Sequence, residues 1–124
     1  MLARETRPGI LAHMPDREPA ARSLQRLMEL SPEMRGGAIL ESGKVLASSD
    51  DEEGWAEATA DLFSAADGGG GPAEQVHVAT EAGEVFALRE AKLTAVAVTE
   101  RFVLASLMSF DMRSVLADLA AEGA

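Results

Sequence analysis

Few residues in this chain are of the types that perform covalent chemistry. Cysteine is absent and His13 and His77 are the sole imidazoles, which excludes a thiolate nucleophile, a disulfide framework and a cysteine-ligated metal. No Gly-x-Ser-x-Gly elbow occurs, so no serine of that arrangement awaits a histidine. His77 alternates with Val76 and Val78 in a strand-like run, and a lone strand histidine reads as a structural or surface residue. The glycines at 68–71 could cradle an anion with their backbone amides. A phosphate loop requires Gly-Lys-Ser/Thr opening a helix, however, and here Pro72-Ala73 leads into a strand, so the run reads as a linker. Asp50, Asp51, Glu52 and Glu53 lack calcium-loop spacing and suit a helix start, where acid complements unsatisfied amides. Arg35, Arg89, Arg101 and Arg113 could stabilise phosphoryl charge, but nothing local singles one out. No catalytic, metal-ligating or cofactor-binding set is expected.

Composition narrows the class further. A chain of 124 residues with 47% hydrophobic and 26% charged residues is one globular domain, able to bury roughly two thirds of its unfolded surface without staples. No apolar run reaches about 18 residues, and the charges and prolines of the first 20 residues do not read as a signal peptide. The expectation is a cytoplasmic protein. A formal charge of −10 repels phosphate backbones and anionic lipids, so neither nucleic acid nor membrane is an expected partner.

The elements that would position any site follow from periodicity. Residues 1–17 contain Pro8-Gly9 and Pro15-Asp16 and read as a tail or loosely attached arm, leaving 18–124 as the domain. A helix is expected at about 18–30, where Ala20, Leu24, Leu27 and Met28 share a face. Strands are expected at 37–41 and 44–49, turning at Ser42-Gly43. A second helix then runs to about Asp67, with Asp50 and Glu53 spaced as a capping box. Three strands, at about 75–80, 84–90 and 93–99, show alternation with breaks at Ala82-Gly83 and Ala91-Lys92. Val85 and Ala87 oppose Phe86 and Leu88, so both faces of the sheet should be covered. Thr99 is the expected cap of a last helix over about 101–122, with Leu104, Leu107, Met108, Met112, Val115, Leu116 and Leu119 in its apolar stripe. The fold class is α+β, order α-β-β-α-β-β-β-α.

The second helix carries the most suggestive surface. Trp55, Thr59, Leu62 and Ala66 form one stripe, while Ala56 and Ala60, one turn apart, lie beside Phe63 in another. Small residues at that spacing would let a second helix approach closely, with Phe63 as an anchor. The same stripe could instead cover the sheet within one chain. Glu57 and Asp61 add an acidic rim suited to a basic partner.

Gly37-Ala38-Ile39-Leu40-Glu41-Ser42-Gly43-Lys44-Val45-Leu46-Ala47-Ser48, the alanine-rich helix after Asp50-Asp51, Leu104-Ala105-Ser106-Leu107 and Asp111-Met112-Arg113 together resemble the Roadblock family of dynein light chains and bacterial GTPase regulators. The resemblance covers about 19–121. It implies a five-stranded antiparallel sheet with helix 2 on one face and helices 1 and 3 on the other. It also implies a dimer in which the strand that begins near Gln75 and carries His77 pairs with its counterpart, while the second helices meet. Family members commonly regulate Ras-like small GTPases or serve as adaptors in motor and signalling complexes. The expected function is therefore a non-enzymatic homodimeric scaffold acting on a small GTPase. A small-ligand sensory domain or an adaptor subunit is the alternative, and an enzyme is disfavoured by the lack of a nucleophile, base and orienter.

Overall fold

The structure, a computed structural model, describes residues 7–50, 54–67 and 74–122, with side chains from residue 17 onward. Through them the chain runs α1 (Arg7–Leu30), β1 (Met34–Glu41), β2 (Lys44–Ser48), α2 (Trp55–Asp67), β3 (Gln75–Ala79), β4 (Glu84–Glu90), β5 (Leu93–Thr99) and α3 (Ala105–Glu122). The five strands form one sheet in the order β2-β1-β5-β4-β3, antiparallel throughout. This is the expected α+β order.

Alternation sorts each strand between two cores. Ile39, Phe86, Leu88, Ala95 and Ala97 face a layer built from Leu24 and Leu27 of α1 and Met108, Met112, Val115 and Leu116 of α3. On the other face, Ala38, Leu40, Ala87 and Val96 pack against Phe63 of α2. The alanines of β5 let α3 sit close on the central strand, while Phe86, 2% exposed, fills the space beside them. Truncating Phe86 to alanine is expected to cost about 3–5 kcal/mol. Helices α1 and α3 run antiparallel, tied by Arg22 to Glu122 (3.6 Å), Arg26 to Asp118 (2.7 Å) and the Ser31 hydroxyl to Asp111 (3.2 Å). The two ion pairs are exposed and add little stability.

Several element starts differ from expectation, each for a physical reason. Helix α1 begins at Arg7, not 18. Pro8 falls in the first turn, where a missing amide costs nothing, and the helix continues through Pro15 and Pro19. Strand β1 begins at Met34, because Met34 and Gly36 already pair with Thr99 and Val98 around an irregular register. Helix α2 takes its first turn from Gly54, whose carbonyl accepts the Ala58 amide at 2.9 Å. Asp50 receives the Trp55 indole instead, at 3.0 Å, and the Glu53 half of the expected box lies outside the described residues, as does the 68–71 run. Thr99 caps nothing: it is fully buried at the end of β5, and its hydroxyl donates to the Glu100 carbonyl. Helix α3 starts four residues after Arg101, at Ala105.

Candidate functional site

Strand β3 forms one margin of the sheet, and among the described residues no strand pairs with its outer side. The Arg89 amide bonds the Glu74 carbonyl and the Thr80 amide bonds the Gly83 carbonyl, both at 2.8 Å. Even-numbered residues of β3 therefore turn their backbone groups toward β4, and alternation turns those of Gln75, His77 and Ala79 outward. Its register with β4 is regular from Gln75 to Ala79. The strand contains no Asp, Glu, Lys or Arg. An edge of this kind is a template for a further strand.

His77 holds that edge to the rest of the fold. Its ring stacks on Phe86, 4.2 Å between centroids and 9° from parallel. Its Nε2 lies 2.6 Å from Oε1 of Glu84, and since an ionised carboxylate only accepts, that nitrogen carries the proton. The other Glu84 oxygen accepts the amides of Phe102 (2.6 Å) and Val103 (3.3 Å). The His77 hydrogen bond, followed by the two amides, holds the Glu84 carboxyl below its ordinary value, with burial acting the other way. This buried carboxylate also explains the late start of α3. The Phe102 and Val103 amides are turned to Glu84 while Phe102 takes a left-handed φ of 64°, so the helix cannot form until that turn is passed. Gly83 fits the same corner. A Cβ there would stand 2.3 Å from the Thr99 carbonyl oxygen, a distance no side chain can adopt.

The opposite face carries the other expected contacts. Phe63 is 5% exposed, with the Arg89 guanidinium 4.0 Å above its ring and Arg89 paired to Asp67 at 2.9 Å. Phe63 is thus a core residue of its own chain, leaving little ring area for a partner to bury. Ala60 is exposed and Ala56 half-buried. Both line a groove of about 680 Å³, shared with Phe63, Asp67, Arg89 and Lys92. Glu57 and Asp61 are exposed. The structure therefore gathers Ala56, Ala60 and Phe63 on one face of the sheet, and places Gln75 and His77 on its edge with their side chains toward the α3 face.

Residues whose place at the sheet edge the sequence did not show lie around the start of α3. Glu84, Phe102, Leu107, Phe110 and Arg113 all belong to the edge region, and Arg113 donates to the Gln75 side-chain carbonyl at 3.3 Å. Leu107, read as part of the buried stripe, is 53% exposed, and Phe110 is 67% exposed. Phe110 had a usable signal, as a large apolar residue off the core stripe. Glu84 had one too, since it shares the inward side of β4 with Phe86 and Leu88. Among the described residues no cluster of His, Asp and Glu is arranged to hold a metal, and no described helix is long and apolar enough to cross a membrane.

No family model matches the sequence, and no curated protein matches it. Solved structures do. A Roadblock/LC7 domain from Streptomyces avermitilis superposes with a TM-score of 0.69 at 16% identity, over 82% of this chain and 95% of that one. Myxococcus xanthus MglB gives 0.71 at 11% identity, over 87% and 92%. Acanthamoeba castellanii profilin IB gives 0.62 at 14% identity, over 85% and 99%, so the arrangement is hosted by proteins with different names and fold alone does not fix function. With its strand order, its helices divided between the two faces and these superpositions, the chain has a fold of the Roadblock type.

Proposed function

We propose that this chain is a non-enzymatic cytoplasmic homodimer that binds a Ras-like small GTPase and modulates its nucleotide cycle. The observation that carries the reading is the open, uncharged and regular β3 edge on a Roadblock-type sheet. Two copies joined there would form one continuous sheet, placing Gln75 and His77 at the seam. Ala56 and Ala60 would face the second copy across the seam on the α2 side. Glu57 and Asp61 would then form an acidic rim for the partner.

Light scattering should give a dimer at micromolar concentration, and a monomer throughout that range would remove the homodimer. Ala60→Glu should weaken the dimer more than it lowers the unfolding midpoint, since Ala60 is exposed in the single chain. The purified protein should hydrolyse no nucleotide alone. Titration against the small GTPases of its own source, in both nucleotide states, should show salt-sensitive binding that Glu57→Lys with Asp61→Lys weakens while the dimer persists. Failure to bind any of them sinks the GTPase reading. The groove beside α2 favours a second reading, a small-ligand sensor or adaptor, which a small molecule co-purifying with the protein would support.

A further inference from the structure

Among the described residues six large apolar side chains stand exposed, and five of them, Val78, Phe102, Leu104, Leu107 and Phe110, belong to β3 or to the segment that opens α3. Helix α3 lies over β4 and β5 while α1 lies over β1 and β2, so α3 is the helix nearer the open edge. Arg113 fixes which side of α3 looks toward that edge, because its guanidinium reaches Gln75. Phe110, three residues before it, shares that side, and Leu107 follows at the same spacing. Phe102 joins them from the preceding turn. A bulky residue at positive φ is uncommon and costs backbone energy. Here the φ of 64° is held by a buried carboxylate, yet the ring it presents is 84% exposed, with the Arg101 guanidinium 4.6 Å from its centroid. The strained turn displays an aromatic side chain and does not bury one.

The start of α1 stands away from this ridge. Arg22 and Arg26 meet Glu122 and Asp118, so the start of α1 lies beyond the far end of α3.

Area favours a second copy as the cover. A stable interface buries about 800 Å² on each partner, and a five-residue strand with the alanines of α2 contributes a modest share. At roughly 200 Å² for a buried aromatic residue, the exposed parts of Phe102 and Phe110, 84% and 67%, add about 300 Å². We infer that Phe102, Leu107 and Phe110 form a second layer of the homodimer contact, covered by the other copy on the α3 face when the β3 edges pair. This rests on the homodimer reading above.

The test compares self-association of the wild type, Phe102→Ser with Phe110→Ser, Leu30→Ser and Ala60→Glu by analytical ultracentrifugation, with circular dichroism checking the fold. Both phenylalanines are exposed, so the double variant should stay folded and its dimer dissociation constant should rise at least about thirtyfold. Leu30, 51% exposed but on α1, should leave the constant unchanged when replaced. A double variant that dimerises like the wild type while Ala60→Glu does not would overturn the ridge and spare the dimer. Equal weakening by Leu30→Ser would also overturn it, by showing undirected stickiness. An unchanged dimer that loses a GTPase partner would assign the ridge to that partner instead. A wild-type monomer would sink the dimer reading itself, and this inference with it.

Discussion

The two margins of the sheet are built from strands of equal length and treated in opposite ways. Strand β2, five residues, opens on Lys44, pairs with β1 through a register shift between Ile39 and Leu40, and has α1 and α2 packed over its two faces. Strand β3, also five residues, is free of charged side chains, keeps a regular register and is more thinly flanked. Charge, irregularity and cover are the devices by which sheets stop further strands from adding. Finding them together at one margin, and missing at the other, teaches that the second margin is available for pairing while the first is not. The two turns beside these strands differ as well. Ser42 and Gly43 make a tight turn with positive φ at both residues, 49° and 83°, and Gly43 has open space around it. Gly83 has normal φ but is wedged against a carbonyl oxygen.

The contrast can be broken in order of effect. The largest change should come from Gly83→Val, which forces β4 away from the end of β5 and should cost about 3 kcal/mol in urea unfolding. Gly43→Ala, strained only by its left-handed backbone, should cost about 1 kcal/mol; equal losses at the two turns would mean the close approach at Gly83 is unimportant. Next is Ala79→Pro. Ala79 turns its amide outward, so proline spares the β3–β4 ladder and should weaken self-association by about tenfold, roughly 1.4 kcal/mol, with little change in the unfolding midpoint. A large drop in that midpoint would show that the β3–β4 ladder had been hit.

Acid should produce a smaller effect, and its sign follows from Glu84. Its carboxyl is held below the ordinary 4.5, so the folded chain favours the ionised form. The stability this provides is fully present above the ordinary value and is lost as pH falls through the lower folded value. Glu84→Gln should therefore show a shallower loss of stability between pH ~5 and pH ~2 than the wild type in parallel urea titrations. Parallel slopes would remove Glu84 from the acid response. Smallest of all is Lys44→Ala, which should leave the association constant unchanged, because β2 keeps its register shift and its helical cover.

Much of this contrast was legible in the sequence. Alternation located β4 and β5 at their observed bounds and assigned Phe86 and Leu88 to the face opposite Ala87, because a period of two is a local property. Alternation also located β3, but its place at the margin came only from the family resemblance. The starts of α1 and α3 were not. Prolines at 8 and 15 carry local signals against helix that the α1 backbone overrides, and the delay of α3 depends on Glu84, a residue of another strand. The ridge was hidden for a different reason. Leu104 and Leu107 sit at spacings compatible with the buried stripe of α3, and only the position of α1 and the sheet decides where the buried arc ends.

The strand order has a consequence for how the molecule is made. Strand β5 lies at the centre, between β1 and β4, yet it is the last strand in the chain. Until residues 93–99 have left the ribosome, the β1–β2 and β3–β4 hairpins have nothing to join them, and the inner margins of β1 and β4 are as open as the outer margin of β3. Closing the sheet thus waits on contacts of long sequence separation, which slow folding and prolong exposure of apolar strands. A nascent chain halted before Leu93 would present several adhesive margins in place of one, and cells would need chaperones to hold it until the central strand arrives.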